Sequence, residues 1–132
     1  MKIPSQFVVV DDDPINNMIC KYIIEKFVPH PGIELFTDPE KGIDWIRNRE
    51  NRKPGNLSTV VFLDINMPGM SGWEFLEEFK LFVNDLDEQI NIIILSSSID
   101  PEDRESAESH PLVHGYYSKP LSLETLDLIF NQ

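Results

Sequence analysis

Thr59-Val60-Val61-Phe62-Leu63 is a five-residue run without a charge that ends directly on Asp64. A run this short and this apolar has no polar face to offer water, so it reads as a strand covered on both sides, as in a parallel sheet. Phe7-Val8-Val9-Val10 and Ile92-Ile93-Ile94-Leu95 have the same character; Ile33-Glu34-Leu35-Phe36 and the stretch from about Val113 to Tyr117 are weaker versions. Each run is followed by a helix signal. Pro14 opens a segment in which Ile15, Met18, Ile19, Tyr22, Ile23 and Phe27 recur at helical spacing. Asp38-Pro39-Glu40 caps a second helix carrying Ile43 and Ile46, and Ser71 with Glu74 forms a capping box for a third carrying Trp73, Leu76, Phe79 and Val83. Asp100-Pro101 starts a short fourth helix to about His110, and Ser122 caps a fifth with Leu123, Leu126 and Ile129. The segment from Asn48 to Ser58 reads as a loop. Strand and helix thus alternate five times, which implies one parallel sheet with helices on each side.

In open sheets of this kind ligands bind beyond the carboxyl ends of the strands, where strand order reverses. Asp11 to Asp13, Asp64, Ser96 and Lys119 each lie at or just after such an end. Carboxylates gathered there repel one another unless a cation intervenes, and an all-oxygen set without a His or Cys cluster favours a hard ion such as Mg²⁺. A carboxylate can also attack phosphorus, with a metal and a lysine balancing the phosphoryl charge. Asp64, alone at the end of the most apolar strand, is the candidate nucleophile. Asp13, next to Pro14, is assigned to capping the first helix. His30, His110 and His114 lie in turns or near helix ends without ligand spacing, and Cys20 reads as a small core residue.

The charge balance narrows the partners. Lys plus Arg (11) against Asp plus Glu (23) leaves −12, a field that repels phosphate backbones and anionic lipid, so neither direct nucleic-acid binding nor membrane attachment is expected. The single cysteine excludes an intrachain disulfide, and no signal peptide or spanning segment is evident. A cytoplasmic location is the expectation.

Val-Asp-Asp-Asp-Pro at 10–14, Leu-Asp-Ile-Asn-Met-Pro-Gly-Met-Ser-Gly at 63–72, Leu-Ser-Ser at 95–97 and Lys-Pro at 119–120 resemble, in order, the motifs of response regulator receiver domains. The resemblance runs from about Phe7 to Phe130. It implies an α/β doubly wound (βα)5 flavodoxin-like sandwich, strand order 2-1-3-4-5, forming a single receiver domain over 1–132. It further implies that Asp64 accepts a phosphoryl group and that Asp12 binds Mg²⁺ directly, with Asp11 acting largely through water and Asn66 through its backbone carbonyl. Lys119 would pair with the phosphate, Ser96 would be the switch hydroxyl, Tyr116 the switch aromatic, and Lys119-Pro120 a cis peptide. Ser96 stands where Thr is commoner and Ser97 where a small Ala is usual, both mild departures. The implied partners are a sensor histidine kinase or histidine phosphotransfer protein and a downstream protein target, with the α4-β5-α5 face as output. With little chain beyond the fifth helix, a stand-alone regulator is expected.

Two rival readings share the fold. A haloacid-dehalogenase-like phosphohydrolase needs a second Asp two positions after its nucleophile as general acid and base; Asn66 stands there, and an amide cannot cycle a proton in that way. A receiver-like interaction module without phosphorylation would be expected to have lost acceptor-site residues, and all are present. No Walker loop or Gly-x-Gly-x-x-Gly run follows the first strand, which disfavours a nucleotide enzyme.

Overall fold

The structure, a computed structural model, describes residues 1–48, 58–86 and 89–131. Five strands, β1 (Gln6–Val10), β2 (Gly32–Phe36), β3 (Ser58–Leu63), β4 (Gln89–Ser96) and β5 (Val113–Ser118), alternate with α1 (Pro14–Phe27), α2 (Pro39–Arg47), α3 (Gly72–Lys80), α4 (Pro101–Ser109) and α5 (Leu123–Phe130). All strand pairs are parallel and the order is β2-β1-β3-β4-β5, so the reversal in strand order falls beside β1 and β3. Most of the 48–58 loop reading, residues 49–57, lies outside the described residues.

The central strands are buried on both faces because their side chains alternate between two cores. Val8, Val10, Val61, Leu63, Ile92 and Ile94 face α2, α3 and α4. Phe7, Val9, Val60, Phe62, Ile93 and Leu95 face α1 and α5. Each of these five α-helices begins at a side-chain cap: Asp13, Asp38, Ser71, Asp100 and Ser122 each accept a backbone N–H, and Ser71 with Glu74 completes the capping box.

Two expectations fail in detail. The third helix stops at Lys80 and Val83 sits in a separate 3-10 turn, Val83–Asp85. More consequentially, α1 does not bury the stripe its spacing suggests. Asn16, Asn17, Cys20 and Ile24 face inward, with Ile23 and Phe27 partly covered, while Ile15 (69% exposed), Met18 (58%), Ile19 (38%) and Tyr22 (58%) face out. The reason is polar: both asparagines hydrogen-bond to Asp11 at the end of β1, which fixes the helix's rotation.

Burial pushes the Cys20 thiol up to about 12. Its thiolate fraction at mildly alkaline pH is thereby lowered by roughly a thousandfold relative to an ordinary thiol. Native protein should therefore react far more slowly with a disulfide reagent than urea-unfolded protein; equal rates would show that Cys20 is not buried.

Candidate functional site

The backbone delivers three of the site residues. Asp11 N donates to Phe36 O (3.0 Å), Asp64 N to Val10 O (3.0 Å) and Lys119 N to Ser96 O (2.9 Å), so each follows the last ladder bond of its strand and projects past the sheet edge. Lys119-Pro120 is cis. The loop after Asp64 closes tightly, with Gly72 N donating to Ile65 O at 2.8 Å. A Cβ at Gly72 would lie 2.5 Å from Asp64 O and 2.9 Å from Ile65 Cα, both backbone atoms, which explains the glycine that closes the 63–72 motif.

Carboxylate oxygens of Asp11, Asp12 and Asp64 lie within 4.8 Å of one another. Asp11 and Asp64 are buried, whereas Asp12 is exposed. Lys119 Nζ stands 2.6 Å from Asp11 Oδ2 and 3.2 Å from Asp64 Oδ1. Asp11 is further held by Asn16 Nδ2 on Oδ2 (2.7 Å) and Asp13 N on Oδ1 (2.9 Å), while Asn17 Nδ2 donates to its carbonyl (3.1 Å). Ile65 N donates to Asp64 Oδ1 at 2.9 Å, leaving Oδ2 as the freer oxygen.

Burial, and then the negative charge of Asp11, lift the Asp64 carboxyl above its ordinary range, against the opposing pull of Lys119 and Ile65 N. For Lys119, burial works to lower the ammonium, but the hydrogen bond to Asp11 and the charges of Asp64 and Asp11 outweigh it and hold it above the usual lysine value.

Among the other residues singled out from sequence, Ser96 is fully buried and its Oγ accepts from Ser98 N at 3.0 Å. Tyr116 stands inward, 7% exposed, its hydroxyl donating to Ser98 O at 3.3 Å and the Arg104 guanidinium 4.8 Å from its ring centre. Asn66 has an exposed side chain in the loop between β3 and α3. Asp13 accepts from Ile15 N at 2.9 Å as the α1 cap. His110 Nδ1 accepts from Leu112 N, closing a turn, and His30 occupies a left-handed turn position with φ 51°. Asn16 and Asn17, which hold Asp11, were not singled out by the sequence reading. Asn16, Cys20 and Ile24 are four apart and share one helical face, but spacing does not set that face above the apolar stripe of Ile15, Met18, Ile19 and Tyr22.

The chain is a doubly wound α/β domain with an acidic pocket and a lysine at the reversal point of its parallel sheet. The model of the response regulator receiver domain matches residues 7–131, and the chain belongs to that family, a signalling module of two-component systems. A two-component response regulator from Cytophaga hutchinsonii superposes with TM-score 0.82 at 32% identity, covering 99% of this chain and 96% of that one. A response regulator receiver protein from Dyadobacter fermentans gives TM-score 0.79 at 25% identity, covering 94% and 93%. Among curated proteins, Stress response regulator protein 1 of Debaryomyces hansenii is 29% identical over 90% of this chain, which spans 45% of that protein's length. Among the described residues no helix is long and apolar enough to cross a membrane.

The oxygen-only donor set of Asp11, Asp12 and Asp64 suits a hard divalent cation. Asp12→Ala should weaken Mg²⁺ binding by roughly tenfold or more, read by Trp73 or Trp45 fluorescence. Asp13→Ala should leave Mg²⁺ affinity in place and cost about 1 kcal/mol of stability through the lost cap. Equal losses of Mg²⁺ affinity in the two variants would reverse this division of roles.

Proposed function

We propose that residues 1–132 act as a cytoplasmic receiver domain in which Asp64 takes a phosphoryl group from a phosphohistidine of a sensor kinase or histidine phosphotransfer protein. The observation that carries this reading is a buried carboxylate, Asp64, held against Lys119 beside the Asp11-Asp12 pair at the sheet's reversal point. Lys119 and Ile65 N hold Oδ1, so Oδ2 attacks phosphorus. The Asp64 O–P bond forms as the P–N bond breaks, and the imidazole nitrogen of the donor keeps the electron pair. Asp12, Asp64 and the Asn66 carbonyl would hold Mg²⁺, with Asp11 acting through water, and the ion would supply charge neutralisation. Both Asp11 oxygens already accept from protein donors, which favours its indirect role. Once the phosphoryl group is in place, Lys119 turns from the Asp64 carboxylate to pair with a phosphoryl oxygen, and the Ser96 hydroxyl donates to another.

The output surface is the α4-β5-α5 face, offered to a downstream protein target. Ala107 is the one buried residue of α4, so that helix is weakly held and suited to move. Donor docking falls to the outward stripe of α1, Ile15, Met18, Ile19 and Tyr22, because it begins at Pro14, two residues after Asp12, and so borders the acceptor pocket.

The test separates chemistry from docking. Acetyl phosphate with Mg²⁺ should label wild type and Met18→Glu equally, and chelation of Mg²⁺ should abolish both signals. In transfer assays with the host's purified histidine kinases, any kinase that labels the wild type should label Met18→Glu roughly tenfold more slowly or worse, as expected for a charge placed in an apolar contact. Absence of Mg²⁺-dependent labelling would reject the phosphoacceptor reading, and unchanged transfer to Met18→Glu would reject the docking face.

A further inference from the structure

Four hydrogen bonds meet at Ser98, in the loop between β4 and α4. Its N–H donates to Ser96 Oγ (3.0 Å), its hydroxyl donates to Asp103 Oδ2 (2.6 Å) and accepts from Asp100 N (3.2 Å), and its carbonyl accepts from the Tyr116 hydroxyl (3.3 Å). One residue therefore ties the end of β4, the first turn of α4 and the middle of β5. The Asp103 bond is short and charge-assisted, the strong kind. It matters here because α4 has almost no apolar hold, with Ala107 its one buried side chain. The Ser96 hydroxyl uses a lone pair on Ser98 N, so its own proton stays available for another acceptor.

We propose that Ser98 is the positioning residue that couples Ser96 to α4 and to Tyr116. The proposal rests on the reading of Asp64 as phosphoacceptor. When the Ser96 hydroxyl is drawn toward a phosphoryl oxygen, its lone pair carries Ser98 N with it. That shift acts at the three other contacts of Ser98, displacing the acceptor of the Tyr116 hydroxyl and the hydroxyl that holds Asp103 and Asp100 N. A purely local role, a serine turn that starts a helix, would stabilise α4 in every state but would not make it respond to the site.

Amide hydrogen exchange across 101–109, with and without beryllofluoride and Mg²⁺, distinguishes these roles. In the wild type, beryllofluoride should change α4 protection by roughly fivefold or more. Ser98→Ala should lose that response while accepting phosphoryl groups from acetyl phosphate at the wild-type rate, and Ser98→Thr, which keeps the hydroxyl, should restore it. A second measurement needs no phosphoryl group. Ser96→Ala removes the acceptor of Ser98 N, so it should lower α4 protection in the wild-type background and have no further effect in Ser98→Ala. The proposal is overturned if α4 of Ser98→Ala responds to beryllofluoride as the wild type does, or if Ser96→Ala and Ser98→Ala act additively on α4. If no chain takes up phosphate but the two serine substitutions remain non-additive, the coupling stands and it is the assignment of Asp64 that falls.

Discussion

Lys119→Met is expected to lose about 3 kcal/mol of stability in Mg²⁺-free buffer at neutral pH, the scale of removing one partner from a buried ionic cluster. Lys119 Nζ lies 2.6 Å from Asp11 and 3.2 Å from Asp64, and the two carboxylate side chains are only 2% and 7% exposed. Without the ammonium, two buried carboxylates face each other with no cation between them. Because its folded-state value is raised, the lysine's contribution is fully present below the ordinary lysine range and is lost only as pH rises through that higher value. The deficit should therefore be complete at neutral pH. Urea unfolding reads it directly, and Mg²⁺ should narrow it, because a cation among the carboxylates binds the variant, which lacks the competing ammonium, more tightly than the wild type. A change of less than about 0.5 kcal/mol, the level of an ordinary surface substitution, would show that Lys119 is not what holds the cluster together.

The fold was legible because its strands are short, apolar and bounded by caps. Runs as short and apolar as 60–63 and 92–95, each followed by a helix signal, suit strands covered on both faces of a parallel sheet, and Asp13, Asp38, Ser71, Asp100 and Ser122 all cap as their neighbours suggest. The grouping of Asp11, Asp12, Asp64 and Lys119 followed from the same topology, since residues after parallel strands emerge on one edge. What spacing alone does not reveal is which face of α1 turns inward. Two candidate faces overlap there, one apolar through Ile15, Met18, Ile19 and Tyr22, the other mixed through Asn16, Cys20 and Ile24. The buried carboxylate of Asp11 selects the second because its oxygens need donors. Ser98 was equally invisible, since its four bonds join residues up to eighteen positions apart.

Asp64→Asn is expected to abolish phosphoryl acceptance, because an amide nitrogen or oxygen at that position cannot form the acyl phosphate. The same change should alter the pH dependence of stability in Mg²⁺-free buffer. With its folded value raised, wild-type Asp64 binds a proton more readily folded than unfolded, so stability declines as pH rises through that value. Asp64→Asn lacks the proton and should lack that part of the decline, which urea unfolding at acidic and neutral pH would show. The most direct measurement is intact-mass spectrometry of wild type and Asp64→Asn after incubation with acetyl phosphate and Mg²⁺. A single added phosphoryl group on the wild type and none on the variant is the predicted result; undiminished labelling of Asp64→Asn would contradict the assignment of Asp64 as phosphoacceptor.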